Sequence, residues 1–184
     1  MRIFLKRACA ALCAVLVLAA LAACGGPLDL PFLDPYEQPF VLQDGFVRYA
    51  NVGYVEEFYG QGDQIFVIRS AEEMEDFCAG FPQGALAQDY DELPSLAESV
   101  ADLGDAYFAE NVLLVAYFPH ESGSCRLRVE DLSAGEGDTL VLAVHRAFPG
   151  GIATDDEVGR AALVGISREF YGGREVLLTV SASA

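Results

Sequence analysis

The stretch from Ser124 to Phe148 constrains the fold more than any other part of the chain. "SCRLRVEDL" alternates apolar with polar residues, "SAGEG" supplies turn chemistry, and "DTLVLAVHRAF" alternates again. A period of two places one set of side chains on one face of a strand, and two such runs across a glycine-bearing turn form a β-hairpin. One face of that hairpin is apolar and needs cover. Upstream, "ENVLLVAYF" reads as a strand buried on both faces, while "FVLQ", "FVRYANVGYV" and "QIFVIRS" read as strands rich in β-branched and aromatic residues. Downstream, "RAALVGIS" and "REVLLTVSA" are expected to pair across "REFYGG".

Helical period enters at Ser70. Ser70 and Glu73 form a capping-box signature, Met74, Phe77 and Cys78 share one helical face, and Gly80 stops the helix after about Ala79. The segment from Phe81 to Asp105 is acidic and broken by Pro82 and Pro94, with one short helix expected from Ser95 to Leu103. A helical turn over Asp105 to Ala109 leads into the buried strand. No βαβ spacing occurs. The pattern predicts an α+β domain: predominantly antiparallel β-sheet, curled or doubled into a small sandwich, with one packed helix and short helical turns.

The N-terminus has a different character. Arg2, Lys6 and Arg7 precede an apolar run from Ala8 to Ala23, interrupted only by cysteines and ending in "LAAC", the pattern of a secretory signal. Leu21-Ala22-Ala23-Cys24 resembles the bacterial lipobox, in which the cysteine thiol receives a diacylglyceryl group and cleavage falls between Ala23 and Cys24. The resemblance implies a signal peptide over 1–23 and a lipid-modified Cys24 as first mature residue. The competing reading is a coincidental cysteine in an ordinary signal, or an uncleaved anchor. Two acyl chains hold a protein stably at a bilayer, each buried methylene contributing about 0.8 kcal/mol. The expected location is the cell membrane, lipid-anchored on its extracytoplasmic side, with the membrane itself as one partner through Cys24. Residues 24–39 then form a proline-rich tether, with Pro27, Pro31, Pro35 and Pro39 at four-residue intervals, and 40–184 the globular domain. Leu28, Leu30, Phe32 and Leu33 make the tether apolar enough to lie against the domain or near the bilayer.

The formal charge of the whole chain is −17. All three leader cations are lost on cleavage, leaving eight arginines against 28 acidic residues, a formal −20. Phosphate contacts need a basic stripe, and this chain has none, which argues against nucleic acid as a partner.

A catalytic constellation is not legible. His120, Glu121 and Ser122 are adjacent, but neighbouring loop residues point apart and no nucleophile elbow or oxyanion-hole glycine pattern accompanies them. "TDDE", Thr154 to Glu157, is acidic without the ligand spacing of a calcium loop, and no HExxH, CxxC or EF-hand pattern occurs. No catalytic residue, metal or cofactor is assigned. Cys78 and Cys125 could pair outside the cytoplasm, worth about 3 to 4 kcal/mol on chain-entropy grounds, or pack as free apolar thiols. "EEFYGQG" and "REFYGG" each place Phe-Tyr-Gly at a turn, so Phe58, Tyr59, Phe170 and Tyr171 are candidates for an exposed aromatic binding face, against the competing reading of core packing.

The order "IFVIRSAEEMEDF", "YFAENVLLVAYFPHESGSCRLRVEDL", "DTLVLAVHR" and "AALVGIS…EVLLTV" resembles the C-terminal domain of the protease-complex subunit PrcB, over roughly residues 45 to 182. Ser122-Gly123-Ser124 stands where that family often has a glycine-rich turn, and the Phe81 to Gly104 excursion is longer than its pattern. The resemblance implies a small β-rich module attached to secreted or surface proteins. The functional expectation is a non-enzymatic, membrane-anchored module that binds an envelope protein or ligand. The alternative is a modulator or accessory subunit of an extracellular protease, and a hydrolase stands third.

Overall fold

A computed structural model describes residues 42, 45–58, 60–82, 84–88, 93–148 and 156–183. The elements in chain order are β1 (Phe46–Val52), β2 (Gln64–Ile68), α1 (Ala71–Ala79), α2 (Leu96–Val100), α3 (Asp105–Glu110), β3 (Asn111–Ser122), β4 (Arg126–Ala134), β5 (Thr139–Ala147), β6 (Glu157–Ser167), α4 (Arg168–Tyr171) and β7 (Glu175–Ser183). Short 3₁₀ turns occupy Glu56–Phe58 and Ala85–Ala87. The strands form a four-stranded sheet in the order β1-β6-β3-β2 and a three-stranded sheet in the order β4-β5-β7. The fold is α+β, and every strand pair is antiparallel except β5 with β7.

β3 explains the layering. Val112, Leu114, Ala116 and Phe118 on one face pack with Leu127, Val129, Leu140, Leu142 and Val144 of the second sheet. Leu113, Val115 and Tyr117 on the other face pack with Met74, Leu96 and Phe108 of the helices. A strand covered on both sides reads as a continuous apolar run, which is what "VLLVAYF" shows. Each large apolar side chain so buried contributes about 1.5–3 kcal/mol. The result is three layers: helices, four strands, three strands.

The expected β4–β5 hairpin forms, with Gly137 at φ 69° in its turn and a register shift between Val129 and Asp131. Beside that bulge the Val129 amide donates to Tyr49 Oη at 2.8 Å, so β1 satisfies a backbone group of the opposite sheet. α1 ends at Ala79 as expected. Its cap is only half a capping box: Ser70 Oγ accepts from the Glu73 amide at 3.0 Å, but Glu73 Oε2 accepts from the Arg69 amide at 2.6 Å, one residue earlier. The full reciprocal box is at α2, between Ser95 and Glu98.

The expected pairing of "RAALVGIS" with "REVLLTVSA" does not occur. β6 already has β1 on one side and β3 on the other, so it has no free edge to offer β7. Ser167 instead caps α4, accepting from the Phe170 amide at 3.1 Å. Gly172 and Gly173, at φ 60° and 78°, then turn the chain into the second sheet, where β7 runs parallel to β5. Among the described residues, no helix is long and apolar enough to cross a membrane. The leader, Ala23, Cys24 and the tether lie outside the described residues, as does "FVLQ" apart from Leu42.

Candidate functional site

The edge strand β2 and the helix α1 enclose a groove of about 520 Å³. Its floor is a set of aromatic rings drawn from four separate segments. Phe81 contacts Phe58 at 5.5 Å, Tyr117 at 5.3 Å and Phe77 at 5.2 Å between ring centroids, all edge to face. Phe58 meets Tyr117 at 5.8 Å, and Phe77 meets Phe66 at 4.9 Å. Edge-to-face rings place positive edges on negative faces, so the cluster holds its shape as well as burying area.

Tyr117 has one polar atom in this apolar surround. The residue is 1% exposed and its hydroxyl has no hydrogen-bond partner among the described residues. Burial pushes the phenol well above the ordinary tyrosine range, so the group remains a neutral donor and acceptor. An unsatisfied buried hydroxyl costs about 1–3 kcal/mol.

Phe58 is held from behind. His120 Nε2 lies 2.7 Å from the Phe58 carbonyl oxygen, an acceptor only, so that nitrogen carries the proton. On its other side, His120 Nδ1 is 3.9 Å from Glu157 Oε2. The groove wall is acidic: Glu73 and Asp76 of α1 both line it. The last turn of α1 contains no basic residue, and Gly80, whose amide donates to the Phe77 carbonyl, closes the helix at the groove edge.

A second polar cluster lies between the sheets, where the chain leaves β3 for β4. Arg160, 1% exposed, donates to Asn51 Oδ1 and, at 2.6 Å, to the Gly123 carbonyl. Glu121, 4% exposed, has Oε1 2.8 Å from Arg146 Nε, and Arg146 also pairs with Asp63. Burial raises the Glu121 carboxyl despite Arg146. The Cys125 thiol is pushed up to about 12 by burial, with neighbouring Glu121 acting in the same direction, so it is no nucleophile. The cluster braces a sheet-to-sheet corner.

A third cluster is on β5 and β7. His145 Nδ1 is 2.8 Å from Ser181 Oγ, Nε2 is 2.9 Å from Ser183 Oγ, and Glu130 Oε1 is 4.0 Å away. A nucleophile, a base and a carboxylate are therefore adjacent. Ser181 and Ser183 are both exposed, and neither they nor His145 line the groove. Acyl transfer needs a substrate cleft and oxyanion donors facing the nucleophile, and the geometry supplies only the hydroxyl–imidazole contacts.

Among the expected binding residues, Phe58 lines the groove, and Tyr59 lies outside the described residues. Tyr171 is a correction: it is 6% exposed in the inter-sheet core, and its hydroxyl accepts from Arg69 Nη2 at 3.1 Å. Phe170 is exposed beneath the Arg174 guanidinium, 5.2 Å from the ring centroid. Phe58 packs on the helix side of the four-stranded sheet and Tyr171 on the opposite side, so they share no face. The possible Cys78–Cys125 bridge is also absent: both are free thiols, Cys78 on the helix side and Cys125 between the sheets. A β-sheet separates them.

His120, Glu121 and Ser122 diverge as expected, toward the Phe58 carbonyl, Arg146 and Ser124 Oγ respectively. Of "TDDE", Thr154 and Asp155 lie outside the described residues. Among the described residues, no three His, Cys, Asp or Glu side chains converge as metal ligands. Sequence reasoning missed Phe66, Phe77, Phe81 and Tyr117 as a unit. The available signal was the Phe77 and Phe81 spacing, one helical turn apart.

No family model matches the chain, and no solved structure matches it. A curated protein, UDP-N-acetylmuramate--L-alanine ligase of Geobacter sp. (strain M21), is 28% identical over 160 residues, covering 87% of this chain and 29% of the ligase. The chain therefore spans less than a third of the length of that relative.

Proposed function

We propose that the chain is a membrane-anchored extracytoplasmic lipoprotein whose domain is a binding module, with the groove between β2 and α1 as its binding site. The observation that carries the site is the aromatic-lined groove itself, with the acidic Glu73 and Asp76 on its wall. Ligand sites are mostly apolar with a few placed polar groups, and this groove has that composition. The Leu21–Cys24 lipobox supports the anchor. Ligase activity is not carried over from a 28%-identical match that spans 29% of the enzyme. Lys6 is the sole lysine, and no glycine-rich loop ending in Gly-Lys-Ser or Gly-Lys-Thr supports nucleotide binding.

The anchor is tested by mass and fractionation: mature chain carrying lipid on Cys24, and Cys24→Ala released from membranes. For the module, a photoreactive benzoylphenylalanine replaces Phe81 in cells, with Glu136 on the β4–β5 turn as control. A discrete envelope adduct from position 81 and none from 136 is expected. Equal labelling from both positions contradicts a dedicated groove. An adduct with a protease whose rate changes on adding the domain would narrow the role to a protease accessory subunit, the reading suggested by the PrcB-like pattern.

A further inference from the structure

We propose that the groove takes a segment of a partner protein in which an aromatic or aliphatic side chain is followed by a basic one. The apolar group sits on the Phe58, Phe81 and Tyr117 floor, and the cation lies against Glu73, Asp76 and the C-terminal end of α1. This inference rests on the groove being a binding site, as argued above.

Three independent features select a cation. First, α1 reads "AEEMEDFCA", four carboxylates with no base within the helix. Glu72 and Glu73 in its first turn suit the helix dipole, but Asp76 opens the last turn, where the dipole is negative and a carboxylate is unfavourable. Local rules are broken in this way chiefly where function compensates. Secondly, the nearby cation Arg69 is occupied, with Nη2 3.1 Å from Tyr171 Oη and Nη1 3.5 Å from Glu73 Oε1. Among the described residues no cation pairs with Asp76. Thirdly, the mature chain as a whole has the same sign: eight arginines against 28 acidic residues attract a basic partner from a distance and repel an acidic one.

The ring cluster selects the apolar neighbour. A ring or aliphatic group seated on edge-to-face aromatics displaces water from an apolar floor. A segment with both side chains therefore satisfies the floor and the wall together.

The test uses the mature full-length chain in zwitterionic detergent and two blocked dipeptides, N-acetyl-Phe-Arg-amide and N-acetyl-Phe-Gln-amide, followed by calorimetry and backbone NMR. Both peptides are expected to shift resonances of β2, α1 and Phe58. At low salt the arginine peptide is expected to bind about fivefold tighter, a margin that narrows in about 0.5 M salt. Asp76→Asn is expected to weaken the arginine peptide about threefold at a melting temperature no lower than that of the parent, which separates lost binding from lost folding. Equal affinities with the groove still shifted overturn the cation assignment alone. Binding of neither peptide, or binding that survives Phe81→Glu in a folded chain, overturns the groove reading as well.

Discussion

Arg146 on β5 places its Nε 2.8 Å from Oε1 of Glu121 on β3, tying the two sheets together at a site where Glu121 is 4% exposed. Removing one partner of a buried pair leaves the other charge without compensation. Arg146→Ala is therefore expected to destabilise the domain by about 3 kcal/mol, read as a lower urea midpoint at unchanged slope.

The same pair sets a pH dependence. Burial raises the Glu121 carboxyl in the folded state, more than Arg146 lowers it. A raised folded value means the folded chain holds this proton more tightly than the unfolded chain. The stabilising contribution is full below the unfolded value and is lost as pH rises through the folded one. Glu121→Gln mimics the protonated form, so its stability relative to the parent should rise between about pH 4 and about pH 7. Urea titrations across that range give the sign directly, and a relative fall contradicts the assignment.

Gly165 on β6 faces Phe46 and Tyr107. A Cβ there would lie 2.5 Å from Phe46 Cε1 and 2.6 Å from Tyr107 Oη. Overpacking of this kind costs about 1–3 kcal/mol, so Gly165→Ala should lower the thermal midpoint by several degrees. Gly104, where a Cβ meets nothing within 4 Å, is the control.

Tyr117→Phe deletes the unpartnered hydroxyl and keeps the ring. The free domain should gain about 1 kcal/mol because a buried group without a partner among the described residues is removed. Urea denaturation of the variant and the parent reads this gain. A loss of stability would show that the hydroxyl is already satisfied.

Thiol chemistry tests the core layers. In a chain running from Phe40 onward, two thiols should titrate after denaturation, since Cys78 and Cys125 are both free. In the native state Cys78, which is half-buried, should react slowly, and Cys125, with its thiol pushed up to about 12, should not react on the same timescale. A single mass corresponding to an oxidised pair would contradict the separation of these residues by the sheet.

Local features of the fold were legible in the sequence. The β4–β5 hairpin, the stop of α1 at Gly80 and the start of α2 at Ser95 all follow from neighbouring residues: alternation, turn glycines and capping side chains. The pairing of β7 was not legible, because a period of two tells which side chains share a face and says nothing about which strand lies alongside. The near-identical turns around Phe58 and Phe170 suggested one aromatic face, yet among their described residues only Phe58 lines the groove.

By itself the sequence determined the class of the domain, its acidic character and the capped helix, since each depends on residues within a few positions of one another. Tertiary structure alone decided that Phe58, Phe77, Phe81 and Tyr117 converge, that Tyr117 Oη has no partner among the described residues, and that Cys78 and Cys125 stand on opposite sides of a sheet. These are contacts between distant segments. They depend on which layers pack together, and in this chain that was set by β6 taking β1 and β3 as neighbours and sending β7 across to the second sheet.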